Sequence, residues 1–272
     1  MKKICSAVSA LLMATATSYA ADLPMKAALA PAPVDNWTGL YIGANGGWRG
    51  NMDPTVAFSA VGPLANFVGP GSPIGLSTSG GAIGGFQVGY NYRVNRTWVA
   101  GIETDFDFAH MGSNGSSLNF AAADGTSQFM SDASEKLEWF GTVRARLGYL
   151  WSNNFLVFAS GGVAYGDVAQ SANYNNLSVG AFGVGGDPGL CLGHGATCFA
   201  GTSSHVAVGW TAGAGLEYAL SSQWTVKAEY LYVDLGGTSL VMSPTSPSIS
   251  FDVARFSPTA FHVARAGINF RF

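Results

Sequence analysis

Apolar and polar side chains alternate with a period of two over much of this 272-residue chain. Eight segments show the alternation, and each is as long as the roughly 9 to 11 residues that a tilted strand needs to cross a bilayer. The segments cover residues 38–50, 80–93, 97–109, 137–151, 155–166, 206–220, 224–235 and 260–272. Beyond the N-terminus, no window holds the roughly 18 consecutive apolar residues of a transmembrane helix. The pattern therefore predicts an all-β chain.

Composition narrows the classes of all-β protein. Hydrophobic residues make up 48% of the chain and charged residues only 11%, against about 25% charged in ordinary soluble domains. The chain is too apolar for disorder and too poor in charge for a usual soluble surface. A formal charge of −3, with no basic patch, excludes a nucleic-acid partner. A large β-sandwich or a membrane β-barrel remains.

The lengths of the connections between the segments distinguish a β-sandwich from a β-barrel. Three connections are tight, at 94–96, 152–154 and 221–223. The other four are long and rich in Gly, Ser, Pro and Asn, and they cover residues 51–79, 110–136, 167–205 and 236–259. Short and long connections alternate strictly, which places all the long ones at one end of an up-and-down sheet, as in bacterial outer-membrane barrels. Greek-key sandwiches mix the two ends. The sequence thus predicts an eight-stranded antiparallel transmembrane barrel with short periplasmic turns and four long extracellular loops.

Within the strands, one face is apolar and the other is charged. In segment 97–109, Trp98 and Ile102 share a face opposite Glu103 and Asp105. If the apolar face meets lipid, the charged face must line the interior. The residues predicted to form a lumen charge network are Glu103, Asp105, Asp107, Glu138, Arg144, Arg146, Lys227, Glu229 and Arg265. An eight-stranded barrel has room only for its own side chains, so we expect this network to be structural rather than catalytic or channel-lining.

Tryptophan positions indicate which face meets lipid. All seven tryptophans lie within about five residues of a predicted strand end, at positions 37, 48, 98, 139, 151, 210 and 224. This distribution is typical of the aromatic girdles at the two membrane interfaces. Trp37, Trp98, Trp151 and Trp224 are the predicted interface aromatics. Tryptophans that cap a soluble β-core are the alternative, but they would not need so regular a spacing.

The N-terminus predicts export. Lys2 and Lys3 precede a short apolar stretch, and small residues at Ser18 and Ala20 suit cleavage between Ala20 and Ala21. Residues 1–20 are therefore expected to be a signal peptide. Residues 21–36 carry three prolines without periodicity and are expected to be a periplasmic leader. The predicted barrel domain covers residues 37–272.

Cysteine usage agrees with export. With Cys5 inside the predicted signal, Cys191 and Cys198 remain, close together in a glycine-rich loop. In an oxidising envelope they are expected to form a local disulfide. A metal site with His194 is the alternative, but two thiols and one imidazole are one ligand short of a closed zinc site. No metal or cofactor is expected.

Histidines offer the one hint of catalysis. They lie on or beside the long-loop end, at His110, His194, His205 and His262. Three pairs are neighbours in sequence: Ser204 with His205, Ser257 with His262, and Asp107 with His110. No spacing fixes a nucleophile, a base and an orienting carboxylate together. Glycine clusters such as GGAIGG lead into no helix and lack the GK[ST] of a phosphate loop. The chain is therefore expected not to be an enzyme.

A set of glycine- and aromatic-rich segments touches every predicted strand: ADLP, WTGLYIGANGGW, GGAIGGFQVGYNYR, WVAGIETDFDFA, GTVRARLGYL, GGVAYG, WTAGAGLEYAL, WTVKAEYLYVDLG and ARAGINFRF. Through these segments the chain resembles the small outer-membrane β-barrel proteins of alpha-proteobacteria, the RopB-type and outer-membrane immunogenic, porin-like proteins. The resemblance implies an assembly signal in the last strand, at Ile268, Phe270 and Phe272, which the outer-membrane insertion machinery reads. The cysteine pair departs from the family pattern.

These observations predict a monomeric outer-membrane protein with a structural role in the envelope. Its expected partners are outer-membrane lipids, lipopolysaccharide and the insertion machinery, with loop contacts to host surfaces or phage. The alternatives are a narrow porin-like channel, capture of a metal or haem at the rim and, further off, a lipid-modifying hydrolase.

Overall fold

The computed structural model describes residues 37–50, 54–62, 73–76, 80–112, 117–121, 128–177, 182–184, 187–191, 196–245 and 250–272. The predicted cleavage site at Ala20 and Ala21, the leader 21–36 and His194 lie outside the described residues. Within the described part of the chain, no helix is long and apolar enough to span a membrane.

Fifteen strands account for almost all the regular structure of the described residues. They are β1 (Gly39–Arg49), β2 (Thr55–Val61), β3 (Ile74–Gly75), β4 (Gly81–Arg93), β5 (Trp98–Gly112), β6 (Ser117–Ala121), β7 (Gln128–Ser152), β8 (Phe155–Asn176), β9 (Phe182–Val184), β10 (Asp187–Cys191), β11 (Thr197–Ala219), β12 (Trp224–Asp234), β13 (Thr238–Pro244), β14 (Phe251–Phe256) and β15 (Ala260–Arg271).

Eight of these strands close into a ring. The order is β1, β4, β5, β7, β8, β11, β12, β15 and back to β1, and every neighbouring pair is antiparallel. Tight connections join β4 to β5, β7 to β8 and β11 to β12 at one end of the ring. The predicted eight-stranded up-and-down barrel is confirmed.

Three of the barrel strands extend well into segments that the sequence assigned to loops. β7 begins at residue 128, β8 ends at 176 and β11 begins at 197. In these extensions large apolar side chains turn inward, since Phe129 and Tyr174 are buried. Polar side chains share that inward face, namely Ser131, Glu135, Gln170 and Asn176, whereas the outward positions no longer form an apolar belt. A pattern of apolar-out and polar-in therefore stops at the membrane boundary although the strand continues.

The extensions carry a second sheet with its own apolar core. Beyond the membrane ring, β13 pairs with β11, β14 with β13, β2 with β14 and β3 with β2, while β6 pairs with β7. The buried side chains of this sheet include Val56, Phe58, Ile74, Leu76, Phe129, Tyr174, Phe199, Leu240, Met242 and Phe256. In the described residues, the long-loop end is thus largely a folded β-layer.

The barrel interior is closely filled. Gly89 on β4 faces the ring of Tyr41 on β1, and a Cβ added there would lie 2.3 Å from the Cζ and hydroxyl oxygen of Tyr41. Glycine is required at this point because the tyrosine occupies the space that any side chain would need.

Candidate functional site

The middle of the barrel contains a layer of buried charged and hydroxyl side chains. They converge there because inward-facing positions from six strands meet across a narrow ring. The layer, called here the charged layer, consists of Tyr41, Glu103, Asp105, Asp107, Arg144, Arg146, Glu217, Lys227, Glu229 and Arg265, all at most 5% exposed.

Arg144 on β7 joins three carboxylates from two other strands. Its Nη2 lies 2.6 Å from Glu103 Oε1 and 2.8 Å from Asp105 Oδ2, and its Nη1 donates to Glu229. Its Nε donates to the hydroxyl of Thr142 at 2.9 Å. The planar guanidinium thus has several of its donors satisfied inside the barrel, which is the geometry in which arginine tolerates burial.

Arg265 on β15 forms a second junction. Its two terminal nitrogens bind Asp105 at 2.6 Å and Asp107 at 2.5 Å, and Nη2 also binds Glu229 at 3.0 Å. Lys227 Nζ lies 2.7 Å from Glu103 Oε1. Each cation therefore contacts carboxylates from more than one strand, so the charged layer ties the strands together across the ring.

Arg146 connects the charged layer to the tight-turn end of the barrel. Its Nη2 binds Glu217 at 2.6 Å, and its Nη1 donates to the Tyr41 hydroxyl at 2.8 Å. That hydroxyl in turn donates to Glu103 at 2.6 Å. The guanidinium also lies over the Phe158 ring, 4.1 Å from its centroid.

Eight of the nine residues predicted for the lumen lie in the charged layer, and Glu138 does not. Glu138 is exposed on the outer surface. Between Leu137 and Phe140, β7 carries one residue more than β8 opposite it, so both Glu138 and Trp139 face outward. This β-bulge corrects the prediction, which assumed unbroken alternation along β7.

Two members of the charged layer escaped the sequence prediction. Glu217 belongs to the face of β11 that also carries Gly213 and Gly215, and a lone carboxylate among small residues was the available signal. Tyr41 stands between Leu40 and Ile42. Because its two neighbours are as apolar as its own ring, the sequence does not show which of the three points inward.

Apolar clusters cover the charged layer on both sides. At the tight-turn end, Val99, Leu150, Leu156 and Ala219 pack around Trp37. Toward the long-loop end, the cluster contains Ile83, Ala109, Leu137, Phe140, Ala164, Val168, Leu231, Val233, Leu235, Phe261 and Val263. The charges are therefore enclosed between two apolar layers.

Trp37 is not an interface residue, contrary to the sequence prediction. It is 0% exposed, its Nε1 donates to the Asn153 carbonyl at 2.9 Å, and the Arg271 guanidinium lies 4.9 Å from its ring centroid. Trp37 lies two residues before β1 and can fold across the barrel opening, where its ring removes more apolar surface from water than it would at the rim.

The other predicted interface aromatics lie on the outer surface at the tight-turn end. Trp98 stacks edge-on against Tyr149 and Trp224 against Phe270, with ring centroids 5.5 and 5.1 Å apart. Trp151 is 77% exposed. Of the residues predicted to form an assembly signal, Ile268 and Phe272 are also exposed on this surface, which is part of a continuous outward apolar belt.

A second aromatic ring marks the other boundary of the belt. Trp48 is exposed there, Trp210 packs against Tyr232 at 5.2 Å, and Trp139 packs against Tyr165 at 6.2 Å. The belt between the two rings carries outward Ile, Val, Leu, Phe and Ala side chains. An apolar band with an aromatic girdle on each side is the lipid-facing surface of an outer-membrane barrel.

The histidine pairs noted in the sequence do not form catalytic arrangements in the described structure. Ser204 donates to Asp167 at 3.2 Å rather than to His205, and His205 Nε2 lies 3.3 Å from the Thr238 hydroxyl. The Ser257 hydroxyl accepts from the backbone of Thr55.

His262 and Asp107 each have another partner. His262 Nδ1 lies 2.8 Å from the Tyr230 hydroxyl on the outer surface, and Asp107 binds Arg265. The side chain of His110 lies outside the described side chains. Among the described residues, no group of three or more His, Cys, Asp or Glu side chains could hold a metal ion.

Cys198 is buried and disulfide-bonded. The side chain of Cys191 lies outside the described side chains, so the Cys191–Cys198 pairing stays a prediction. The position of Cys198 in the core of the second sheet shows that this part of the predicted loop is folded.

One titratable group of the second sheet has a strongly altered environment. Asp252 on β14 is 2% exposed, and burial raises the pKa of its carboxyl to about 6, although backbone N–H groups of Val253 and Ser59 act in the opposite direction. Burial also raises the pKa of Tyr174, with the nearby Asp252 carboxylate adding to the effect.

Known proteins with similar sequences are outer-membrane proteins. The chain is 38% identical to the 31 kDa outer-membrane immunogenic protein of Brucella melitensis biotype 1, over 100% of both chains. It is 24% identical to the 22 kDa outer membrane protein of Rhizobium leguminosarum bv. viciae, over 81% of this chain and 74% of the relative. Among solved structures, OprG of Pseudomonas aeruginosa matches 86% of this chain and 96% of its own, at 12% identity and a TM-score of 0.47.

A family model described as the outer membrane protein beta-barrel domain matches residues 7–272. That range includes all eight strands of the ring, the charged layer and the lipid-facing belt. This chain is therefore an outer-membrane protein that belongs to the outer-membrane β-barrel domain family.

Proposed function

We propose that this protein is a non-enzymatic structural barrel of the outer membrane whose extracellular sheet contacts lipopolysaccharide or host surfaces. The observation that carries the proposal is the closed interior. Arg144, Arg265 and their carboxylate partners fill the cross-section, and the clusters around Trp37 and Phe140 cover both sides. Such an interior stiffens a barrel and leaves its outer surfaces for interaction.

A structural role predicts an envelope defect when the protein is lost. We expect a deletion strain to become sensitive to a bulky hydrophilic antibiotic that an intact outer membrane excludes. Wild-type protein restores resistance, and so does a variant with His110, His205 and His262 all replaced by alanine. Failure of this triple variant to restore resistance would contradict a non-enzymatic role.

The filled cross-section also argues against a diffusion pore. We expect the purified monomer to show no steady conductance in a planar lipid bilayer, with a conducting porin in the same membrane as the control. Reproducible single-channel steps from the wild-type protein would favour the narrow porin-like channel.

Lipid modification is tested separately. Because no histidine in the described structure is hydrogen-bonded to a serine, we expect the mass of lipid A to be the same in cells that overproduce the protein and in cells that lack it. A mass change that depends on His205 or His262 would establish an enzyme.

We further propose that the protein is a monomeric barrel and that β15 carries its assembly signal. The proposal is supported by the outward, exposed position of Ile268 and Phe272 at the tight-turn end, since outward side chains do not have to pack into the barrel interior. Replacing Phe272 with Ser is expected to lower insertion into the outer membrane while leaving export across the inner membrane unchanged.

A further inference from the structure

A cleft lined mainly by serine and threonine residues lies on the outer surface of β7, β8 and β11, just beyond the lipid-facing belt. Its volume is about 440 Å³, within the range of small-molecule sites. It is separate from the charged layer, since none of the residues that line it belongs to that layer.

Two cross-strand rows form the cleft. In the first row Lys136 is opposite Ala169, and Ala169 is opposite Ser204. In the second, one pleat further from the membrane, Ser134 is opposite Ser171, and Ser171 is opposite Thr202. The register therefore places the small side chain of Ala169 at the floor, with a lysine on one wall and hydroxyls on the others.

The walls of the cleft are mostly uncharged. Ser134, Ser171, Thr202 and Ser204 each provide a hydroxyl that donates and accepts. Lys136 is exposed and forms no ion pair with any residue that the structure describes. The Asp167 carboxylate adjoins the cleft and accepts from Ser204 through one oxygen.

The position of the cleft defines what can reach it. Trp139, three residues from Lys136, and Tyr165, four residues from Ala169, are members of the outer aromatic ring and contact each other at 6.2 Å. Aromatic girdles lie at the level where acyl chains give way to headgroups. The cleft therefore opens at the height of the headgroups of outer-leaflet lipids.

We propose that this cleft binds the sugar headgroup of an outer-leaflet glycolipid. Sugar hydroxyls match the Ser and Thr hydroxyls, Lys136 donates to ring or hydroxyl oxygens, and the acyl chains of the same molecule lie along the belt below. One lysine in the lining, with the Asp167 carboxylate bound to Ser204, gives little net attraction for an anion, which favours recognition of hydroxyl groups over phosphate. The inference rests on the proposed function and assigns its lipid contact to one place.

The test measures binding of lipid A and of phosphatidylglycerol to the purified full-length protein in a zwitterionic detergent. Ala169→Trp fills the floor of the cleft without touching the barrel interior. We expect it to weaken lipid A binding at least tenfold and to leave phosphatidylglycerol binding unchanged. Lys136→Gln, at an exposed side chain, is expected to weaken lipid A binding several-fold.

Val61→Trp is the matched control, because Val61 is exposed on β2, three strands away from β11 in the same sheet. It should bind both lipids as the wild type does. The gel mobility of the unboiled protein shows whether a variant has folded. If Ala169→Trp does not fold, lipid A binding by Lys136→Gln tests the cleft instead.

Two negative outcomes are distinguishable. Wild-type protein that binds lipid A no better than phosphatidylglycerol would overturn both the lipid contact of the proposed function and the cleft. A wild-type preference for lipid A that both cleft variants retain would overturn the cleft alone.

Discussion

At the scale of single residues, the interior of this barrel depends on matched charges. Five carboxylates and four cations of the charged layer are withdrawn from water, and each ion is tolerated only because its partners lie within hydrogen-bonding distance. Arg144 has the widest set of partners, with Glu103, Asp105 and Glu229 around one guanidinium. Loss of a cation leaves buried carboxylates that nothing else in the layer can fully compensate.

Replacing Arg144 with alanine is therefore expected to lower the free energy of unfolding by about 3–5 kcal/mol, the usual range when one partner of a buried ion pair is removed. Urea titration of the protein in lipid vesicles, followed by tryptophan fluorescence, measures the change. Arg255→Ala is the control, since Arg255 is exposed and contacts Ser59 only at 3.4 Å; its effect should stay within about 0.5 kcal/mol. Equal effects of the two substitutions would contradict a structural charged layer.

The buried carboxyl of Asp252 predicts that the stability of the second sheet depends on pH. The pKa of its carboxyl is about 6 in the folded protein and 3.8 as the ordinary value, so the folded state holds the proton more tightly. Stability therefore decreases as pH rises from about 4 to about 6, by up to about 3 kcal/mol, and levels off above that range. Hydrogen exchange of the β14 amides at pH 4 and pH 7 should show faster opening at pH 7.

Asp252→Asn tests the assignment to this carboxyl. The amide keeps the shape of the side chain but does not titrate, so the variant should exchange at pH 7 more slowly than the wild type once intrinsic exchange rates are corrected. A variant with the wild-type pH dependence would attribute the effect to another group.

At the scale of elements, β7 and β8 each serve two environments. Within the membrane portion, Val143 and Leu147 face lipid while Arg144 and Arg146 face inward; beyond it, Phe129 and Ala133 face inward and Lys136 faces water. The bulge at Glu138 and Trp139 lies where the two regimes meet. Since the extra residue faces outward, Leu137 before the bulge and Phe140 after it both point into the barrel.

This geometry predicts an unequal response to single-residue deletions. Deleting Glu138 removes the extra residue, and Leu137 and Phe140 then follow regular alternation and stay inside. Deleting Ala145, in the regular part of β7, moves every residue on one side of the deletion to the opposite face. We expect the Glu138 deletion to fold into lipid vesicles and the Ala145 deletion to fail, as judged by circular dichroism and gel mobility. Folding of both would show that the register of β7 is not fixed by the charged layer.

At the scale of the whole molecule, two separate apolar cores lie along the barrel axis. The core around Phe140 and Phe261 belongs to the membrane ring, and the core around Phe58 and Phe199 belongs to the second sheet. No buried residue is shared between the two clusters within the described part of the chain. The ring should therefore hold its fold without the complete outer sheet.

Excision of the β13–β14 hairpin tests this independence. Joining Gly237 to Ser257 removes Leu240, Met242, Ala254 and Phe256 from the outer core and none from the inner one. We expect the shortened protein to remain in the outer membrane with its ring intact, while proteinase K added to whole cells cleaves the extensions of β8 and β11. Loss of the ring together with the hairpin would show that the two cores fold as one unit.

Much of this architecture follows from the sequence. Period-two alternation located all eight ring strands, because a strand between lipid and a charged interior must alternate. The order of short and long connections set the topology, since an up-and-down barrel has two unlike ends. Glu103, Arg144 and Arg265 could be assigned to the interior because no lipid-facing position accepts a buried charge without great cost.

Other features depended on tertiary structure. Glu138 is exposed because of the bulge, and the bulge arises from how β7 pairs with β8. Trp37 is buried because the barrel end leaves an opening that its ring covers. The second sheet was not predicted because its apolar side chains point inward, whereas in the membrane portion of the same strands the apolar side chains point outward. The sequence by itself determined which side chains alternate and, through the tryptophans and the charges, which face of the membrane ring is inside. Only the tertiary structure decided that apolar side chains turn inward where the strands continue beyond the belt, because the same alternation satisfies lipid outside or an apolar core within.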